Sequence, residues 1–173
     1  MVSDERRNPR RLLRLVLQLP LFLYSIRLGC LLGTRFLVLK HTGRISGQQR
    51  RTVLEVMRHD NEKHCYLVCS GWGEASEWYR NIRQNPEAEI EIGRRRMKAI
   101  AMRLPQHEAE KEMGHYARRY PTAYRWLATR LLGRRATGEA QEFAELTRAV
   151  PVIGLLQLNY REPGNENQQI RKA

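Results

Sequence analysis

The chain is short of cysteine, of aromatic residues and of acidic side chains, and each shortage closes off a class of protein. Three cysteines, Cys30, Cys65 and Cys69, are too few for a disulfide scaffold, and no second pair or His cluster gives them zinc-ligand spacing. Cys65 and Cys69 stand four apart in an apolar run that reads as a strand, so they share one face. They are expected to be buried, reduced thiols in a reducing, cytoplasmic compartment. Aromatics make up only 8% of the residues, most of them at helical spacing. That is not the regular stacking platform of a single-strand nucleic-acid binder, so no nucleic acid is expected as partner despite the charge. No uninterrupted apolar run approaches the roughly 18 residues that cross a bilayer. His41, His59, His64, His107 and His115 show no metal-binding spacing, and no Ser-His-Asp or Cys-His order stands out.

The counterpart of scarce acid is abundant base. Lys and Arg total 31 against 18 Asp and Glu, a formal net charge of +13, and 26 of the basic residues are Arg. Guanidinium prefers bidentate contact with phosphate and carboxylate, so an anionic partner is expected. Charge alone admits a nucleic acid, an acidic membrane surface or a phosphorylated small molecule.

At 173 residues the chain suits one domain with a real core. Residues 1–34 read as an N-terminal helical segment, with helices near 10–19 and 21–31 separated by Pro20. Gln18 and Pro20 interrupt its apolar run, and no small-residue cleavage site follows, which argues against a secretory signal. Its wide apolar arc and its arginines suit an anionic membrane surface, peripherally on the inner face of the cell membrane, or a homodimer interface. Residues 35–160 form the expected folded domain, and residues 161–173 a polar, disordered tail. Within the domain, strands are expected near residues 35–41, 50–58, 64–70, 88–92, 95–104 and 151–158, with clean period-two alternation at 88–92 and 95–104 and an apolar run at 64–70. Helical periods appear at 77–85, 106–120, 122–132 and 139–147, with Ser76 as the cap of the first. Six mostly antiparallel strands with flanking helices predict an α+β domain closed as a small barrel.

Two segments carry chemistry. Lys40-His41-Thr42-Gly43-Arg44-Ile45-Ser46-Gly47-Gln48-Gln49-Arg50-Arg51-Thr52 combines glycines, hydroxyls and arginines as an anion cradle would, without P-loop or dinucleotide-fingerprint spacing. Ser70-Gly71-Trp72-Gly73-Glu74-Ala75-Ser76-Glu77-Trp78-Tyr79-Arg80-Asn81 feeds a glycine loop into a helix, and its Trp78 and Asn81 suit a planar heteroaromatic ring.

In this order, about 25 residues apart, the two segments resemble the deazaflavin-dependent nitroreductase family, also described as quinone reductases. The resemblance rests on Thr42-Gly43-Arg44-x-Ser46-Gly47, Arg50-x-Thr52-x-Leu54, Ser70-Gly71, Trp78-Tyr79-x-Asn81 and Asn85-Pro86, and it extends over residues 36–158. It implies a split β-barrel of the FMN-binding-like kind that holds the deazaflavin coenzyme F420, and an oxidoreductase that passes hydride to a quinone, a nitroaromatic or a similar acceptor. The implied cofactor contacts are Arg44, Ile45 and Ser46; Arg50, Arg51, Thr52, Val53, Leu54 and Glu55; Val68, Cys69, Ser70 and Gly71; and Glu77, Trp78, Tyr79, Arg80 and Asn81. A Tyr over the pocket of family members aligns near Ala123, with Tyr124 beside it, so Tyr124 and Ser70 are the expected proton donors. FMN is the alternative cofactor, and an arginine excess larger than one ribityl phosphate requires favours F420. Two rival readings are a split barrel that binds FMN or another anionic ligand without catalysis, and a basic nucleic-acid-binding module.

Overall fold

Alternating residues determine which side of each strand is buried, and here they close a barrel. In the computed structural model, which describes residues 34–158, the strands are β1 (Phe36–Thr42), β2 (Gln49–Asp60), β3 (Cys65–Cys69), β4 (Glu87–Ile92), β5 (Arg95–Arg103) and β6 (Val152–Gln157). They join in the order β1-β2-β3-β6-β5-β4 and close on themselves, every pair antiparallel. The helices are α1 (Glu77–Gln84), α2 (Gln106–Arg119), α3 (Pro121–Leu132) and α4 (Ala140–Ala149). The expected N-terminal helices, with their membrane or dimer surface, and the expected tail lie outside the described residues. Among the described residues, no helix is long and apolar enough to cross a membrane.

The barrel interior is filled by Leu37 and Leu39 of β1, Leu54 and Val56 of β2, Tyr66 and Val68 of β3, Ile90 and Ile92 of β4, Ala99 of β5, and Ile153 and Leu155 of β6. Helix α1 adds Trp78, Tyr79 and Ile82 to this cluster. A second core lies outside the barrel, where α2, α3 and α4 set Met113, Tyr116, Tyr124, Ala128 and Leu146 over Met57, Leu67 and Val152. Burying a large apolar side chain is worth about 1.5–3 kcal/mol, so both layers contribute to holding the helices on the sheet. A bulge in β2 joins the two layers. Val56 pairs with Val68 but Arg58 pairs with Leu67, so one extra residue is accommodated and both Met57 and Arg58 turn to the helical side. Arg58 there makes a bidentate pair with Glu112 of α2, at 2.8 and 2.7 Å.

Two local expectations are corrected. Strand β2 runs two residues beyond 58, because the turn is tighter than its polarity suggested: the Asp60 carboxylate accepts the Lys63 N–H at 3.1 Å. Ser76 occupies the N-cap position of α1 but makes no capping hydrogen bond. Its hydroxyl is instead shared with Ser70, 2.6 Å away.

Candidate active site

Strand β2 pairs with β1 over Gln49–Glu55 but meets β3 only from Val56 onward. Its first half therefore borders open space on one side. That opening is a cleft of about 890 Å³ between β2, the loop after β3 and helix α3. Because an edge rather than one face is presented, consecutive residues of β2 line it: Thr52, Val53, Leu54 and Glu55. Cys69, Gly71, Trp72, Glu77 and Trp78 form a second wall, and Thr122, Ala123, Trp126, Leu127 and Arg130 of α3 form the third.

The loop after β3 is held by its glycines and serines. Gly73 has φ +64, and a Cβ there would lie 2.7 Å from the Ala149 carbonyl oxygen, so only glycine lets this turn approach α4. Ser70, fully buried, donates to the Gly73 carbonyl at 2.6 Å. The turn leaves Trp72 56% exposed at the mouth of the cleft, opposite Trp126 at 48%. Between them lies Arg130, its guanidinium 3.4 Å from the Trp72 ring centroid and 5.3 Å from that of Trp126. Desolvation against these rings lowers the Arg130 pKa.

The polar end of the cleft is built on Glu55. Arg35 donates to its Oε1 through Nε and Nη2, at 3.2 and 3.0 Å, and stacks 4.7 Å from the Tyr120 ring centroid. The Tyr116 hydroxyl also faces Glu55; burial first, and then that carboxylate, raise its pKa. Burial pushes the Cys69 thiol up to about 12 and the Cys65 thiol to about 11, so both free thiols are neutral and poor nucleophiles.

The loop between β1 and β2 reaches the cleft from its other end. Arg44 Nη1 lies 2.6 Å from Glu77 Oε2 and 3.0 Å from Asn81 Oδ1, and its backbone N–H donates to the same Oδ1 at 3.1 Å. Asn81 is buried and meets Nδ1 of buried His41 at 3.3 Å, while His41 Nε2 lies 3.4 Å from Thr52 Oγ1. Burial, and then Arg50, lower the His41 pKa, so a neutral ring that accepts from Asn81 and donates to Thr52 accounts for both contacts. The cations on the strands flanking this loop differ in their commitments. Lys40 is paired with Glu89 and Glu91, and Arg51 lies 3.9 Å from Glu91. Arg50 makes no ion pair with any described residue.

The cleft thus gathers Thr52, Val53, Leu54, Glu55, Cys69, Gly71, Glu77 and Trp78 of the expected set, with Arg44 and Asn81 tied to its edge. Ile45 is 86% exposed and Ser46 is a loop residue whose hydroxyl accepts the Gln48 N–H at 3.4 Å. Arg80 lies on the outer side of α1, its Nε on the Glu74 carbonyl at 3.2 Å. The Val68 side chain is sealed in the barrel, and Tyr79 is buried with its hydroxyl accepting from Arg103 at 3.2 Å. The two expected proton donors are corrected. Ser70 is spent inside its own turn. Tyr124 points into the helical layer and donates to Glu142, away from the cleft. Burial alone would raise the Glu142 pKa, but the Thr137 N–H, Tyr124 hydroxyl and Gly138 N–H hold it down to about 2. Unforeseen were Arg35, Tyr116, Trp72 and, apart from Ala123, the α3 wall. The spacing of Thr122, Ala123, Trp126, Leu127 and Arg130 on one helical face is the signal that could have found that wall.

A family model of the F420H2-dependent quinone reductases matches residues 26–132, more than half of the chain. The chain belongs to that family. It is an oxidoreductase of the F420-dependent class, and F420 is its cofactor. Among solved structures, an F420-H2 dependent reductase (FDR-A) is similar at 21% identity over 70% of this chain and 93% of its own, with a TM-score of 0.49. A pyridoxamine 5'-phosphate oxidase-related, FMN-binding protein from Nostoc punctiforme is similar at 14% identity over 91% of this chain and 83% of its own, TM-score 0.50. A conserved hypothetical protein from Mycobacterium tuberculosis is similar at 14% over 78% and 79%, TM-score 0.50. The last two show the split-barrel fold. No curated protein matches the chain. The residues present fit F420: aromatic walls and a free strand edge suit a planar ring, and Arg50, two residues before Thr52 on the same strand and paired across the sheet with His41, has no carboxylate partner among the described residues.

Proposed function

We propose that this F420-dependent reductase binds its cofactor along β2 and the loop preceding it, and takes a flat, apolar acceptor, a quinone or a nitroaromatic, at the tryptophan-lined mouth of the cleft. Arg50, Arg44 and Arg51 are the residues that would hold the phosphate and the carboxylates of the acidic tail. Thr52–Glu55 and Trp78 would border the ring, with Trp78 fixed by its packing in the barrel. When bound and reduced, the deazaflavin supplies a hydride. The chain itself supplies position and exclusion of water, so no protein nucleophile is required. Trp126 and Leu127 offer the acceptor an apolar surface inside the mouth, and the cation of Arg130, held between the Trp72 and Trp126 rings, suits the electron-rich oxygens of a quinone or nitro group.

The observation that carries this reading is the junction of two unlike surfaces: an aromatic cleft with an open mouth, and an arginine-bearing loop joined to it through Glu77. Steady-state reduction of menadione with reduced F420 tests it. Turnover that saturates in the quinone, with KM raised severalfold by Trp126→Ala and kcat little changed, supports the acceptor slot. An unchanged KM in that variant and in Trp72→Ala removes it.

A further inference from the structure

We propose that Glu77 is an internal competitor for the anion site at Arg44, an exchangeable carboxylate that an incoming phosphate or carboxylate group displaces. The proposal rests on the reading that Arg44 faces the anionic part of the cofactor, and it adds a control on how tightly that part is held.

Arg44 is gripped in two ways of different character. Asn81 holds its backbone N–H at 3.1 Å and its Nη1 at 3.0 Å, and Asn81 is itself buried and pinned by His41. Glu77 takes the remaining side of the guanidinium, with Nη1–Oε2 at 2.6 Å and Nη2–Oε1 at 3.4 Å. That two-oxygen contact is the geometry a phosphate or a free carboxylate would adopt. The Glu77 side chain is 69% exposed, however, against 21% for Arg44, and a solvated carboxylate holds a partner only weakly. The outer side of Arg44 is therefore filled, but weakly.

A displaced carboxylate also has somewhere to go. Arg80, one turn further along α1, already lies 3.4 Å from Glu77 Oε1. Exchange would move Glu77 from Arg44 to Arg80 without leaving either charge unpaired, while Asn81 keeps the loop in place. Glu77 thus keeps the arginine aimed in the free protein and weakens every anion that takes its place, so affinity is set below what the arginines alone would give.

Glu77→Gln removes the competing charge and keeps the side-chain length. Wild type, Glu77→Gln, Arg44→Ala and the double variant would be titrated with F420 by fluorescence and with inorganic pyrophosphate by calorimetry, both at low salt. The expected result is binding roughly two- to fivefold tighter in Glu77→Gln for both probes, with the gain absent in the Arg44→Ala background. Equal or weaker binding in Glu77→Gln overturns the proposal and makes Glu77 a residue that merely orients Arg44. Binding of neither probe by the wild type overturns it as well. Pyrophosphate binding with the Glu77→Gln gain but without F420 binding would leave the exchange standing and sink the cofactor placement alone. Because the substituted Glu77 is exposed and Arg44 keeps Asn81, the thermal midpoint should hold within a degree or two in Glu77→Gln, which separates exchange from misfolding.

Discussion

Replacing Tyr124 by Phe separates a structural tyrosine from a catalytic one. The side chain is 2% exposed and its hydroxyl donates to Glu142, also 2% exposed. Without that hydroxyl the carboxylate keeps the Thr137 N–H at 2.8 Å, Thr137 Oγ1 at 3.1 Å, the Gly138 N–H at 3.1 Å and Arg134 Nη1 at 3.2 Å. The charge is left partnered, so the loss is that of one charge-assisted hydrogen bond, about 1.5–3 kcal/mol. For a chain of this size each kcal/mol moves the midpoint by about 2–4 °C, so Tm should fall by about 3–12 °C. A proton donor would behave otherwise, since losing general acid catalysis typically costs ~10²–10⁴ in rate. Thermal melts followed by circular dichroism, beside kcat for menadione measured well below the midpoint, read both quantities. We expect a lower Tm and a kcat within about twofold of wild type. An unchanged Tm with kcat down a hundredfold would refute the placement of Tyr124 away from the chemistry.

Other outcomes follow from the same geometry. Arg50→Ala should weaken F420 binding roughly tenfold or more, and most at low salt, whereas Lys40→Ala should have little effect because Lys40 is committed to Glu89 and Glu91; fluorescence titration at two ionic strengths checks both. The His41 pKa is lowered from 6.5 in the folded chain, so the unfolded chain takes up the proton first and stability is lost as pH falls below about 6.5. Denaturant melts between pH 7.5 and 5 should show that loss, and His41→Gln should flatten it; an identical slope in the variant would refute the assignment. Glu142, held down to about 2, contributes stability that is full above its ordinary carboxylate range and lost as pH falls toward 2. Glu142→Gln should therefore melt lower at pH 7 and converge with wild type in acid.

The strands were readable from residues two apart, since Leu37 and Leu39, Leu54 and Val56, and Ile90 and Ile92 all point where period two places them, while β3 and β6, buried over consecutive residues, were readable as short apolar runs. The helices were readable from Ala109, Met113 and Tyr116 for the same kind of reason. Much of the site was not, because it depends on contacts between distant residues. Arg44 and Glu77 are 33 positions apart, and nothing local announces that one neutralises the other. Ser70 stands in a glycine loop and looks available, but the turn at Gly73 folds back and closes over it. Tyr116 and Tyr124 both carry helical spacing, and only the packing of α2 and α3 decides that the first lines the cleft while the second faces Glu142. The open edge of β2 was hidden too. It exists because β3 is five residues long against twelve in β2, a mismatch that becomes visible only once the strands are paired.

The central claim is that this basic split barrel is built around F420, and its most direct test is a pair of binding titrations on the purified chain. Oxidised F420 and FMN would be compared by fluorescence at matched ionic strength. The account predicts clearly tighter binding of F420, weakened by salt and by Arg50→Ala. Tight binding of FMN with only weak binding of the deazaflavin would contradict it.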